Sequence, residues 1–148
     1  MGNEALLLSI KPTYATKIFN YDKSVELRKV RPRLQDGDKV LVYVSSPIME
    51  LMGVFEVSNV IKDTPDKLWK KVGSSSGITK DDFFSYYEGS DIGYGIMIKN
   101  VSLFDCPISL KKLRGLFPGF TPPQSYRYMK FSELRKINTL IESNYLLN

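Results

Sequence analysis

Between Lys23 and Arg28 the chain reads Lys-Ser-Val-Glu-Leu-Arg, which sets an amine, a carboxylate and a guanidinium within six residues. In an extended strand side chains alternate between faces, so Ser24, Glu26 and Arg28 share one face and Val25 and Leu27 the other. The apolar pair can enter a core and leave Glu26 and Arg28 side by side on the opposite surface, with Lys23 at the strand mouth. Such a cluster can hold a phosphate or the polar edge of a base. If burial lowers the amine's pKa, it can also activate a nucleophile, with Glu26 as general base for water. The same residues also read as the solvated face of an edge strand, where charge blunts unwanted pairing.

The elements around this strand position it. Ala5 to Ile10 is an apolar run of strand length, and Pro12 ends it while suiting the first turn of a helix. Tyr14, Ala15, Ile18 and Phe19 make a helical stripe over 12–20, so a short helix leads directly to Lys23. After Arg28, the basic stretch Lys29-Val30-Arg31-Pro32-Arg33 reads either as phosphate-contacting or as an ordinary solvated hairpin connection. Val40 to Val44 predicts a strand buried on both faces, and Leu51 to Ile61 a second long strand with Gly53 at a bulge. Thr64-Pro65-Asp66 and Thr79-Lys80-Asp81-Asp82 open two helices, separated by a flexible loop at Gly73-Ser74-Ser75-Ser76-Gly77. Ile92 to Val101 returns to strand alternation, with Gly93 and Gly95 allowing close approach of a helix or a ligand. A short basic helix over Ser109 to Leu116, a last strand at 124–128 and a terminal helix from Phe131 to Leu147 complete the chain, the last with Leu134, Ile137, Leu140 and Ile141 inward.

Two further groups carry chemistry. Ser45 and Ser46 end a buried strand and can hydrogen-bond at a pocket rim, or simply cap the turn before Pro47. Gln124-Ser125-Tyr126-Arg127-Tyr128 mixes an amide, a guanidinium and two rings, a set that reads a base by stacking and edge hydrogen bonds. Its alternative reading puts Tyr126 and Tyr128 in the core and Arg127 in solvent.

Composition narrows the chemistry. The chain has 148 residues, 43% of them hydrophobic and 25% charged, enough for one domain spanning residues 1–148 that buries a core without disulfides or metals. Its 21 basic and 16 acidic side chains leave a net charge of +5, which favours a polyanionic partner. The absence of histidine excludes Cys–His and Ser–His–Asp catalysis, and neither a metal nor a cofactor is expected. Cys106 is the only cysteine, read as a small packed side chain in a reducing compartment. No apolar run reaches membrane-spanning length, and Ala5-Leu6-Leu7-Leu8 is too short for a signal-peptide core, so a cytoplasmic protein without membrane attachment is expected.

Lys23-x-x-Glu26-x-Arg28, preceded by the Leu6–Pro12 strand and a helix ending Ile18-Phe19, resembles the signature of ASCH domains in the PUA-like superfamily. Gly37-Asp38-Lys39-Val40-Leu41-Val42-Tyr43-Val44-Ser45-Ser46-Pro47, Gly53-Val54-Phe55-Glu56-Val57 and Pro122-Pro123-Gln124-Ser125-Tyr126-Arg127-Tyr128 resemble that family in order and spacing. The chain departs from it at Tyr21, where many members have the glycine of a tight turn. The resemblance implies an α+β fold, a mixed β-barrel of about six strands with peripheral helices. It also implies a charged cleft that binds RNA or a nucleotide, in RNA metabolism or in regulation of translation or transcription. Carried over to matching positions, Lys23, Glu26 and Arg28 line that cleft with Ser45 and Ser46 nearby; Gln124 and Arg127 are expected beside them as base-reading groups on the strength of their residue types alone. Similar family members hydrolyse a modified nucleoside or RNA. By analogy Lys23 and Glu26 would be the catalytic pair of a metal-independent hydrolase, although the amidohydrolase subgroup carries threonine where this chain has Glu26.

Overall fold

The apolar run Ala5–Ile10 forms strand β1, and the rest of the sheet is assembled around it. A computed structural model describes residues 5–141. Helix α1 (Pro12–Phe19) follows, then β2 (Val25–Arg28), β3 (Lys39–Val44) and β4 (Glu50–Asp63). Helices α2 (Pro65–Val72) and α3 (Lys80–Tyr86), strand β5 (Gly93–Ser109), helix α4 (Leu110–Leu116), strand β6 (Tyr126–Tyr128) and helix α5 (Phe131–Ile141) complete the order. The six strands form one sheet in the order β2-β5-β4-β3-β1-β6, in which β1 and β3 are parallel and every other pair antiparallel. This is the α+β mixed fold expected from the sequence, with the sheet curled as a partial barrel.

Strand alternation divides the core. Leu6, Leu8, Ile10, Val40, Val42 and Val44 face the concave side, where Ala15 and Ile18 of α1 pack against them. Ala5, Leu7, Leu41 and Tyr43 face the other side, covered by Leu113 of α4 and Leu134 and Ile137 of α5. A third cluster joins Val25 and Leu27 of β2 to Leu68 and Val72 of α2, Phe83 of α3 and Tyr87 just beyond it. Because β1 and β3 are covered on both faces, their near-continuous apolar sequence is what the architecture requires. Bulges interrupt the β4–β5 ladder at three points, one of them beside Gly53, and let the two longest strands curl.

The edge strands β2 and β6 are joined by side chains. Arg28 at the end of β2 donates from Nη1 to Ser125 Oγ, just before β6, at 2.9 Å. The stretch after β2 crosses to the same edge: the Arg33 N–H donates to Tyr128 Oη at 2.6 Å, and the Arg33 guanidinium lies 4.2 Å from that ring's centre.

Several expectations change. The Lys29–Arg33 stretch is no hairpin connection, since β2 pairs with β5 and not with β3. Nor is 73–77 a loose loop: Gly73–Ser75 is a 3-10 turn, and the fully buried Ser76 donates its hydroxyl to the Gly73 carbonyl at 2.7 Å. Strand β5 runs on to Ser109, because its long antiparallel pairing with β4 continues past Val101. Cys106, in that extension, is exposed rather than packed. Gly93 admits packed side chains, since an added Cβ would lie 2.7 Å from the Tyr87 ring and 2.8 Å from Leu68. In α5, Leu134 and Ile137 are buried but Leu140 is exposed, and the expected helix beyond Ile141 lies outside the described residues.

Candidate functional site

Lys23 is placed by the end of α1. The Tyr21 N–H bonds the Ile18 carbonyl and the Asp22 N–H bonds the Lys17 carbonyl at 2.8 Å, the paired pattern of a Schellman cap. Tyr21 occupies the left-handed position of that cap at φ 64°, where glycine is the favoured residue. The tight turn therefore survives the departure noted at this position, with tyrosine bearing the strain. The Lys23 N–H also bonds the Lys17 carbonyl, at 3.0 Å, which directs the side chain inward.

There the sequence reading of the charged face needs correcting. Val25 and Leu27 enter the core beneath α2 and α3, as the alternation required. Their opposite face is the mouth of the curled sheet rather than open surface: Lys23 and Glu26 are 4% and 8% exposed. Lys23 Nζ donates to the Ser76 carbonyl at 2.6 Å, lies 3.6 Å from Glu26 Oε1 and sits 5.4 Å from the centre of the Tyr14 ring. Burial pushes its pKa down, and the Glu26 carboxylate only partly opposes that shift. Glu26 Oε2 accepts from Arg28 Nη2 at 2.8 Å. Arg28 Nη1 is taken up by Ser125, while the buried Nε makes no hydrogen bond among the described residues.

These three side chains open into one cavity of about 570 Å³, within the range of sites that enclose small ligands. Tyr14, Asp82, Ser85 and Tyr86 complete much of its wall. Burial raises the Tyr14 and Tyr86 hydroxyl pKa values; the Asp82 and Glu26 carboxylates push Tyr14 the same way. Both phenols are therefore neutral donors around pH 7. Behind them, the Tyr87 hydroxyl bonds the Arg28 carbonyl at 3.1 Å and is held far above the usual phenol range by burial. A neutral or cationic amine, a carboxylate, an unbonded guanidinium N–H and two phenols can match a ligand rich in donors and acceptors, such as a nucleobase with its phosphate.

The other sequence-predicted residues do not meet here. The Ser45 N–H bonds the Ile10 carbonyl at 3.0 Å, but neither Ser45 nor the exposed Ser46 lines the cavity. Arg127 pairs with Leu7 across the β1–β6 ladder and so points to the α5 side, where it bonds Glu133 at 2.8 Å. Gln124 is exposed and outside the cavity wall, whereas its neighbour Ser125 reaches Arg28. Ser125 is held by β1, because the Ser9 N–H bonds its carbonyl at 3.0 Å and Ser9 Oγ bonds the Pro123 carbonyl at 2.6 Å. Sequence reasoning missed Tyr14, Asp82, Ser85 and Tyr86 as site residues. Their helical spacing was visible, but the orientation of α1 and α3 toward β2 was not.

Among the described residues no three Asp, Glu or Cys side chains gather as a metal site, and no helix is long and apolar enough to cross a membrane. A family model described as a domain of unknown function, DUF365, matches residues 4–116. An ASCH domain-containing ribonuclease of Zymomonas mobilis is 22% identical over 134 residues, 90% of each chain. A large ribosomal subunit protein uL22 of Ureaplasma parvum is 28% identical over 128 residues, 86% of this chain but 40% of that protein. Among solved structures, ASCH from Zymomonas mobilis superposes with a TM-score of 0.87 at 22% identity, covering 92% of this chain and 94% of that one. The N-terminal domain of Staphylothermus marinus McrB gives 0.58 at 11% identity, covering 91% and 93%.

Proposed function

This chain belongs to the DUF365 family and is an ASCH domain protein of the PUA-like superfamily, and from that premise we propose that it binds RNA or a nucleotide in the cavity lined by Lys23, Glu26 and Arg28. The observation that carries the reading is the convergence, in one open cavity, of a buried amine, a carboxylate and a guanidinium with an unbonded N–H. The ribonuclease named among its relatives supports RNA as the ligand class. Lys23 and Arg28 contact phosphate or a polar base edge, and Glu26 orients them or accepts from an exocyclic amine. Tyr14 and Tyr86 flank the base. Ser45, Ser46, Gln124 and Arg127 have no part in this reading, since none lines the cavity. Residues 1–148 act as one domain, and the cytoplasm supplies both RNA and a reducing setting for the exposed Cys106.

Fluorescence anisotropy with labelled RNA across a salt series tests this, for the wild type and Lys23→Ala. Binding weakened by the substitution supports the cavity. Binding indifferent to it, with fold unchanged, removes the cavity from the proposal.

The lowered pKa of Lys23 favours a second reading, metal-independent cleavage of RNA or hydrolysis of a modified nucleoside. In RNA cleavage the unprotonated fraction of the Lys23 amine takes the proton of a 2′-hydroxyl, whose oxygen attacks the adjacent phosphorus; a 2′,3′-cyclic phosphate forms as the bond to the 5′-oxygen breaks, and the Lys23 ammonium returns the proton to that oxygen. In nucleoside hydrolysis Glu26 takes a proton from water, the hydroxide adds to the acyl carbon, and the carbon–nitrogen bond breaks as the amine leaves with that proton. Product that forms in EDTA and is lost in Lys23→Ala supports this reading; activity indifferent to Lys23 overturns it.

A further inference from the structure

A second hollow adjoins the first. It measures about 680 Å³ and meets the cavity at Ile78, which lines both. Its wall carries three lysines, Lys17, Lys70 and Lys80, around Trp69. Gly77 forms the partition between the two. It holds a positive φ of 67°, and an added Cβ would lie 3.0 Å from Lys23 Cβ and 3.2 Å from Lys17 Cδ. The Gly77 carbonyl accepts from Lys17 Nζ at 2.7 Å, while the preceding Ser76 carbonyl accepts from Lys23. The two lysines therefore grip opposite sides of one backbone segment and project toward the two hollows.

Trp69 is half-buried, and its ring is fixed by Phe83 at 5.0 Å and Phe84 at 6.2 Å between centres. An indole with a rigid backing is a stacking platform for a base, and nearby ammonium groups suit the phosphate joined to it. Lys70 and Lys80 are exposed and form no ion pair among the described residues, so their charge is available to a ligand.

We propose that this hollow is a second nucleotide subsite, in which Trp69 stacks a base and Lys17, Lys70 and Lys80 hold the phosphate of a nucleotide adjacent to the one in the Lys23 cavity. The proposal rests on the RNA reading above and deepens it: the ligand is a strand of two or more nucleotides, not a lone nucleoside.

Trp69 is the only tryptophan in the chain, so its fluorescence reports on this hollow alone. The test titrates an unlabelled uridine octanucleotide into the wild type and into Lys70→Glu/Lys80→Glu, following emission and competition against a labelled RNA at several salt concentrations. Quenching in the wild type is expected, with affinity lowered at least tenfold by the double substitution. The salt slope should become shallower by about 0.7 for each phosphate of the single strand that the variant no longer neutralises. Lys111→Glu/Lys112→Glu, on the exposed side of α4, serves as the charge control and should leave affinity unchanged. Octanucleotide binding that leaves Trp69 emission and the double variant's affinity unaltered overturns the subsite while the cavity reading stands. Quenching by inorganic phosphate alone also overturns it, making the hollow an anion site only. No binding of any RNA by the wild type overturns both readings together.

Discussion

Two Arg–Glu pairs in this protein have the same length and opposite character. Arg28–Glu26 and Arg127–Glu133 both close at 2.8 Å. The first has side chains 14% and 10% exposed at a cavity wall; the second, 35% and 17% exposed, lies against α5. Glu133 also accepts from the Lys130 N–H at 2.9 Å, at the start of α5, and Arg127 sits 5.8 Å from the centre of the Phe120 ring. That pair is absorbed by the fold. Glu26 instead shares its charge with a buried amine, and Arg28 retains a buried donor without a hydrogen bond among the described residues. Distance alone cannot separate a structural pair from a site; what distinguishes them is the bonding left over once the fold is satisfied.

The sharpest way to break this contrast is Arg28→Ala. It strips Glu26 of its closest partner in a poorly hydrated setting and removes the link to Ser125, so a cost of about 3 kcal/mol is expected in chemical denaturation. RNA binding should fall with it. A loss no larger than that of Arg127→Ala would make the two pairs equivalent after all.

The pH dependence of Lys23 comes next. Its folded pKa is depressed below the ordinary 10.5, so between those two values the unfolded chain binds more protons than the folded one. Stability from this group is thus fullest above 10.5 and is lost as pH falls to the folded value, with a limiting slope of about 1.4 kcal/mol per pH unit. The raised phenols of Tyr14, Tyr86 and Tyr87 pull stability down as pH rises through 10, so the test is a difference: the unfolding free energy of the wild type relative to Lys23→Met should rise with pH over that window. Identical slopes would contradict the burial argument.

Tyr21→Gly acts at the cap that aims the first pair. Relief of the left-handed strain should raise stability by about 1 kcal/mol, visible as a higher melting temperature without change at Arg127. Arg127→Ala should have the smallest effect, below about 1 kcal/mol with RNA affinity unchanged, because its pair is partly hydrated.

Much of the architecture could be read from local pattern. Pro12, Thr64, Thr79 and Ser109 marked helix starts that the structure contains, and the alternation in β2 correctly set Val25 and Leu27 against Glu26 and Arg28. What local pattern could not supply is which side of a strand faces water. Both faces of β2 are covered, one by α2 and α3 and the other by the mouth of the curled sheet, and that is decided by elements remote in sequence. The same holds for Arg127, whose direction follows from its register against Leu7. Ser76 was invisible for a different reason: it serves Lys23 through a main-chain carbonyl, which any residue could offer. The glycines around it suggested looseness, yet Gly73 and Gly77 mark tight packing against Trp69 and the two lysine stems.

The side-chain closure between β2 and β6 has a mechanical consequence. Prising apart two strands of a hydrogen-bonded ladder requires many main-chain bonds to yield in concert, whereas the seam here is fastened by the Arg28 guanidinium on Ser125 and by a single Arg33 N–H on the Tyr128 hydroxyl, with the Arg33 guanidinium over that ring. The Arg28 arm can swing about its own single bonds, and the Arg33 N–H can part from its one phenol, while every rung of the sheet stays intact. The ring of strands thus has one place where it can be unbuttoned without being torn, and it lies beside the cavity.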